Sequence, residues 1–375
     1  MEEHFCDWRI STIREETHMK ILLINANSAG SDFYRMFEPA RAVREAAPDL
    51  DVEVRMGIAT TMKEPAGGGP LEVVDVDARS ADVVVLQLPK TREMLQIVRV
   101  LQAQGVAVVV ELDDLMSGVA YGHQGFDALV RRGMGRWALQ CALEADMVTT
   151  STPALQKVYA PHGRGAVVPN AIPRRLAELP PAYEREPEMV SIGWTGNVFV
   201  HPYDLQEMGS GLQQALDSTR GGSEFVVLGQ KWDTKERLRL PEEPREVPWK
   251  SDIDEYVTAI GELFDVGVAP LRLDAFNESK SWLKPLEYSA RGVFCVRART
   301  SEYERLGLGL PAKSTKDWAK WLTMGVKDPD RRRQLAAAAR EKVLAEHLTE
   351  HTAERWVAAW RSAREHRSRQ LRRGA

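Results

Sequence analysis

Cysteine is scarce: Cys6, Cys141 and Cys295 are the only three in 375 residues. They are far apart and odd in number, so neither a disulfide framework nor a zinc site follows, and a reducing, cytoplasmic compartment is the expectation. Long apolar runs are missing too. No stretch reaches the roughly 18 apolar residues of a membrane-spanning helix. The opening residues carry Glu2, Glu3, Asp7, Glu15 and Glu16 without an apolar run, which does not read as a secretory signal. Neither sign of charge dominates. Fifty basic against 54 acidic residues give a formal net charge of −4, unlike a protein built mainly to coat nucleic acid. What remains is 43% hydrophobic and 28% charged, a composition that excludes a mostly disordered chain. The length predicts two domains.

Short β-rich runs recur at Ile21–Asn25, Val52–Arg55, Val83–Leu88, Val106–Val110 and Met147–Ser151. Helical spacing fills Arg92–Gln102 and Phe126–Leu143 between them. Apolar strands without alternation, separated by helices, predict a parallel sheet covered on both faces, the doubly wound α/β class. Six prolines between Pro161 and Pro187 then break the pattern and read as a linker. A second series follows, with strands at Val190–Thr195, Phe225–Leu228, Val266–Pro270 and Val293–Val296. Its helices are expected at Tyr203–Leu216, Ile253–Leu263 and Lys280–Ala290.

The last part is rich in helix formers, from Asp328 to about Glu346 and from Thr349 to about Arg364. Trp356 and Trp360, four apart, share one helical face. Residues 361–375 hold six arginines against Glu365 and read as a solvated basic end, with an anionic partner as the sharper alternative. Residues 1–18 read as an extension that the fold does not need. The Pro65–Pro70 loop, Pro-Ala-Gly-Gly-Gly-Pro, lacks the Lys-Ser/Thr of a phosphate loop.

Ligands of open parallel sheets bind at the carboxyl ends of the strands, so the residues just after each strand are the candidates. Asn25-Ala-Asn27-Ser28-Ala-Gly30 is a small-residue turn without Gly-x-Gly-x-x-Gly. Asp113 and Asp114 follow an apolar strand and suit sugar hydroxyls, a base, a metal or a helix cap; neighbouring residues do not point the same way, which favours one functional acid and one cap over a two-ligand metal site. Trp194-Thr-Gly196-Asn197 can hold a phosphate on exposed N–H groups or be a plain tight turn. The richest stretch runs from Ser279 to Gly292. Ser279 or Ser281 can cap a helix, and Lys280 and Lys284, four apart, put two ammonium groups near its N-terminus as an anion site. Glu287, two turns on, can accept bonds from the paired hydroxyls of a ribose. Trp282, Leu283, Leu286 and Tyr288 surround these charges, unlike a solvated charged face.

In this order the motifs resemble retaining glycosyltransferases of the GT-B fold, in particular the GT4-like group. Val167-Val-Pro-Asn-Ala-Ile172 is similar to that group's linker motif. Ile192-Gly-Trp-Thr-Gly196, with His201 and Asp204, is similar to the opening of its nucleotide-sugar domain. Phe276 to Tyr288, then Gly292, resembles its donor-site signature. The resemblance implies two Rossmann-like domains facing across a cleft, with C-terminal helices crossing back to the first. It divides the chain into an extension (1–18), an acceptor domain (19–170), a linker (171–187), a nucleotide-sugar domain (188–345), a returning helix (346–364) and a basic tail (365–375).

The implied reaction is transfer of a sugar from a nucleotide-diphosphate-sugar to an acceptor hydroxyl, with retention, without a metal, and without a cofactor beyond that co-substrate. Glu287 takes the second position of the group's Glu-x7-Glu motif, on the ribose; the first position is Ser279. Gly196, Asn197, His201, Lys280 and Lys284 make up the rest of the donor site. Asn27, Ser28, Asp113 and Asp114 are expected on the acceptor side, with Asp113, Asp114 and Lys280 at the chemistry. The acceptor is open among polysaccharide, lipid, protein and modified nucleic acid. A sugar-nucleotide 2-epimerase of the same fold and a non-catalytic nucleotide-sugar-binding protein are the alternatives.

Overall fold

The structure, a computed structural model, describes residues 18–26 and 29–374. It forms two units, each built on its own six-stranded sheet. Unit 1 takes the chain to Asp113, then Gly133–Val168 and the end from Thr352; unit 2 takes Asp114–Arg132 and Pro169–His351.

The unit 1 strands are β1 (Met19–Asn25), β2 (Leu50–Met56), β5 (Val83–Gln87), β6 (Ala107–Leu112), β7 (Met147–Thr150) and β8 (Gly165–Val167), in the spatial order β2-β1-β5-β6-β7-β8. All neighbours are parallel. Every residue of β5 and β6 is buried, which is why these strands are continuous apolar runs and do not alternate. Between β2 and β5 lies a feature the sequence reading lacked. An antiparallel hairpin of β3 (Thr60–Lys63) and β4 (Glu72–Val76) carries the Pro65–Pro70 loop at its tip.

Trp356 and Trp360 do lie on one buried helical face, their rings 6.0 Å apart, in a core with Ile21, Leu23, Val83 and Val109. Their helix runs from Ala353 to Gly374, so the basic end is helical and not a detached tail. Its charge is largely spent within unit 1. Arg361, Arg364 and Arg367 reach Asp49, Asp82 and Asp146 at 3.0, 3.3 and 2.7 Å, and Arg369 faces Glu365.

The unit 2 strands are β9 (Val190–Asn197), β10 (Ser223–Gln230), β11 (Arg245–Val247), β12 (Val266–Ala269), β13 (Phe294–Arg297) and β14 (Leu310–Pro311), in the order β11-β10-β9-β12-β13-β14, again parallel. After β9 the chain builds outward through β10 and β11, then returns to the other side of β9 with β12. That reversal opens a crevice at the carboxyl end of β9. Trp194, Ile192, Val227, Val268, Phe294 and Trp318 fill the core beneath.

Several sequence boundaries move. The helix expected over Phe126–Leu143 is split at Gly133 (φ +77), and that over Tyr203–Leu216 at Gly209 (φ +56); periodicity alone does not register a left-handed residue. Residues 171–187 are fastened to unit 2 and do not form a free linker. Proline-rich backbone lacks donors, so its carbonyls seek outside partners. Arg340 donates to Ala177 O and Leu179 O, and Arg291 to Leu176 O and Pro180 O. The segment Asp114–Arg132 belongs with unit 2 although it sits inside the stretch read as the first domain. Tyr203 Oη donates to Tyr121 O at 2.8 Å and Gln124 N to Phe199 O at 3.0 Å. These partners lie more than 70 residues away, beyond the reach of local pattern. The expected extension, residues 1–18, lies outside the described residues except for His18.

Candidate active site

At the carboxyl ends of β9 and β10, Gly196 and Gly229 are register partners, and both have positive φ, +151 and +138. A Cβ on Gly229 would stand 2.0 Å from Gly196 O, so only glycine lets the two strand ends approach this closely. Beside them opens a cavity of about 390 Å³. Thr195, Gly196 and Asn197 bring it the end of β9, Gly229 and Gln230 the end of β10. Val200, His201, Trp249, Tyr256 and Lys284 complete the wall.

Lys284 sits in the first turn of the helix Leu283–Ala290. No hydrogen bond or ion pair reaches its ammonium among the described residues. Burial and the neighbouring Lys280 charge lower its pKa, while Asp204, Glu287 and Asp114 pull the other way. His201 Nδ1 lies 2.7 Å from Asp204 Oδ2. Burial, helped by Lys284, lowers the His201 pKa to about 4 against the pull of Asp204. The ring is therefore neutral at neutral pH. It donates Nδ1–H to the carboxylate and keeps Nε2 as an acceptor. Burial works against ionisation of Asp204, but hydrogen bonds from His201 and the Arg272 amide outweigh it and lower its pKa. Its Oδ1 also accepts from Asn277 Nδ2 at 2.8 Å.

Glu287 is buried one turn past Lys284 and is not on the cavity wall. Its Oε2 accepts from Tyr256 Oη at 3.1 Å, and Tyr256 Oη lies 3.0 Å from Thr195 Oγ1. Burial first, then Glu287, push the Tyr256 phenol well above its ordinary pKa, so it remains a donor. Trp249 leans on the Tyr256 ring, centroids 4.8 Å apart.

Other expected residues fall elsewhere. Lys280 precedes the helix, so it does not share a helical face with Lys284. Its ammonium is 3.1 Å from Asp114 Oδ1 and 4.4 Å from the Phe276 ring centre. Neither serine caps this helix: Ser279 Oγ donates to Ala275 O, and Ser281 Oγ accepts from Asn170 Nδ2. The turn is held from afar, since the Trp282 indole also donates to Asn170 O at 2.7 Å. Asp113 belongs to unit 1 and accepts from Ser31 Oγ at 2.6 Å, whereas Asp114 belongs to unit 2. Asn27 and Ser28 lie outside the described residues.

The sequence reading missed three residues. Trp249 follows the short strand β11, and Tyr256 sits in a regular helix; neither carries a motif. His123 shares a small cavity with His201 and Asp204 and packs edge-on to Phe276, 5.8 Å between centroids. Burial and Lys280 lower its pKa. Among the described residues no group of three or more His, Cys, Asp or Glu side chains is placed to hold a metal ion.

Residues 210–358 match a family model described as glycosyl transferase-like. Solved structures share the fold across nearly the whole chain. The Anabaena protein Alr3699/HepE, crystallised with UDP and glucose, aligns over 92% of this chain and all of its own, with 14% identity and a TM-score of 0.61. An α,α-trehalose-phosphate synthase (UDP-forming) from Burkholderia vietnamiensis aligns over 93% of this chain and 99% of its own, with 12% identity and a TM-score of 0.59. A mutant of TarM from S. aureus, crystallised with UDP among its ligands, gives 11% identity and a TM-score of 0.55 over 74% of this chain, which spans 55% of that protein. No curated protein matches the sequence. The chain thus has the α/β fold of GT-B glycosyltransferases, and its second half carries a glycosyl transferase-like pattern. No helix among the described residues is long and apolar enough to cross a membrane.

Proposed function

We propose that the protein is a glycosyltransferase that binds a nucleotide-diphosphate-sugar in the unit 2 cavity and passes the sugar to an acceptor hydroxyl, with retention and without a metal. The observation that carries this reading is the Lys284 ammonium. It lines the crevice at the end of β9 with no hydrogen bond or ion pair among the described residues, beside the glycine pair that lets the ends of β9 and β10 close together. A half-buried ammonium beside a second one, Lys280, is held at a cost, and an anionic ligand relieves that cost. A diphosphate gains negative charge as the glycosidic bond breaks, so a fixed cation favours the transition state over the ground state.

In the reaction, the bond from the anomeric carbon to the phosphate oxygen breaks with its electron pair on the leaving diphosphate. The acceptor oxygen bonds to that carbon, and its proton leaves with the nucleoside diphosphate. Lys284, with N–H groups around Gly196 and Asn197, takes the diphosphate. His201, held neutral by burial and oriented by Asp204, offers Nε2 to a sugar hydroxyl. Trp249 on Tyr256 forms a shelf for a nucleobase. Glu287 is assigned to the ribose through the Tyr256 hydroxyl, a less direct contact than the motif implies. Lys280 joins the diphosphate only by leaving Asp114. Asp113 and Asp114 stay on the acceptor side of the proposal.

A thermal-shift titration with UDP, GDP and ADP tests the assignment, because a ligand of the folded state at about 100 times its Kd adds about 2.7 kcal/mol. One nucleotide is expected to raise Tm. Lys284→Ala is expected to weaken that nucleotide about 10- to 100-fold without lowering the Tm of the free protein. Unchanged affinity in Lys284→Ala would remove the site.

A further inference from the structure

The carboxyl edge of the second sheet carries a feature that donor binding does not use. Phe199 follows β9 and Trp232 follows β10, and their rings form a tilted pair with centroids 5.4 Å apart. Both are open to solvent, Phe199 at 41% and Trp232 at 67%. The pair borders the donor cavity in sequence on both sides, since Val200 and Gln230 are wall residues. Folding alone does not explain an indole in this position. A large apolar ring in water gains nothing from burial, and Trp232 sits at φ +42, a left-handed conformation that bulky residues avoid. Backbone held this way around an exposed aromatic is a mark of a binding surface. Phe199 is held in place: its N–H donates to Asn197 Oδ1 at 2.8 Å, and its carbonyl accepts from Gln124 N at 3.0 Å.

The charges nearby decide what the pair can hold. Lys231 and Lys235 both face Glu243, at 2.9 and 3.6 Å, and Arg237 faces Asp233 at 2.9 Å. Each of the three cations beside Trp232 thus already faces a carboxylate, Lys231 and Lys235 sharing one, which leaves little to draw a polyanion or an anionic bilayer. An aromatic face among charges already paired suits the C–H face of a neutral sugar ring, with its hydroxyls left to water and amide groups.

We infer that Phe199 and Trp232 form a stacking platform for a neutral glycan, and that the acceptor of the proposed transfer is a carbohydrate chain whose ring rests there. The acceptor half rests on the proposed function; the glycan platform does not. The test follows the ¹⁵N-indole signal of Trp232 in the full chain, assigned by its loss in Trp232→Ala, during titration with maltohexaose, cellohexaose, chitohexaose and mannohexaose. At least one glycan is expected to shift that signal saturably. Its affinity should fall at least 10-fold in Phe199→Ala, while the change in Tm induced by the nucleotide that binds is preserved in both variants. No shift with any of the four, or sedimentation of the protein with 3:1 phosphatidylcholine–phosphatidylglycerol vesicles that depends on Trp232, overturns the platform. Glycan binding without any nucleotide binding keeps the platform and sinks the transferase reading instead.

Discussion

The two sheets are built alike and end differently. At the carboxyl ends of the unit 1 strands, the described polar side chains bond to one another. Glu111 accepts from Arg35 at 2.7 Å and from Thr149, Gln87 Nε2 donates to Ser31, and Asn25 Nδ2 donates to Asp32. Burial pushes the Glu111 carboxyl up even with Arg35 beside it. At the matching end of unit 2, Lys284 and the face of His201 turned from Asp204 border a cavity. A parallel sheet presents backbone dipoles and loop residues at this end in both cases. Whether the end becomes a site depends on whether its polar groups are spent on one another.

Four experiments would break or sharpen that contrast. The largest effect is expected from Gly229→Ala. The added Cβ meets the Gly196 carbonyl, so the strand ends must part. Nucleotide affinity should fall about 100-fold and stability by about 3 kcal/mol, read by calorimetric titration and urea unfolding. Arg367→Ala does the opposite in unit 1. It leaves the buried Asp146 carboxylate without its ion pair, although Val108 N still donates to it. A loss of about 3 kcal/mol is expected with nucleotide affinity unchanged; a weakened affinity would mean that the units are not independent in this respect.

Lys284→Ala tests the same contrast from the ligand's side, since it should cost affinity and not stability. The smallest effect is a pH slope. The His201 pKa is about 4 when folded, against 6.5 ordinarily, so between those values the unfolded chain holds the extra proton. Stability from this group is complete above pH 6.5 and is lost as pH falls toward 4. After discounting for screening the loss is about 2 kcal/mol. Urea unfolding at a series of pH values should show this slope in the wild type and a flatter one in His201→Gln. Equal slopes would mean that the ring is not held neutral.

Much of the architecture was legible along the chain. Val83–Leu88 and Val106–Val110 announce buried parallel strands because a strand covered on both faces has no reason to alternate. The stretch from Phe276 to Gly292 showed its chemistry because charges set among Trp282, Leu286 and Tyr288 do not suit a solvated face. Lys284, which lines the cavity, and Glu287, buried behind it, were singled out this way. Lys280 was misplaced, because spacing assumed a helix through Ser281 where Asn170, about 110 positions earlier, holds a turn.

What the sequence determined by itself, then, is whatever depends on near neighbours: strands and helices, two doubly wound sheets, and the strand ends where a ligand can sit. Which cation lines the cavity, that Glu287 meets Tyr256, that Asp113 and Asp114 part into different units, and that Arg367 finds Asp146 were decided by tertiary structure alone. The physical reason is that a charge or hydrogen-bond donor is satisfied by whatever folding brings within about 3 Å, and those partners lie tens to hundreds of residues away.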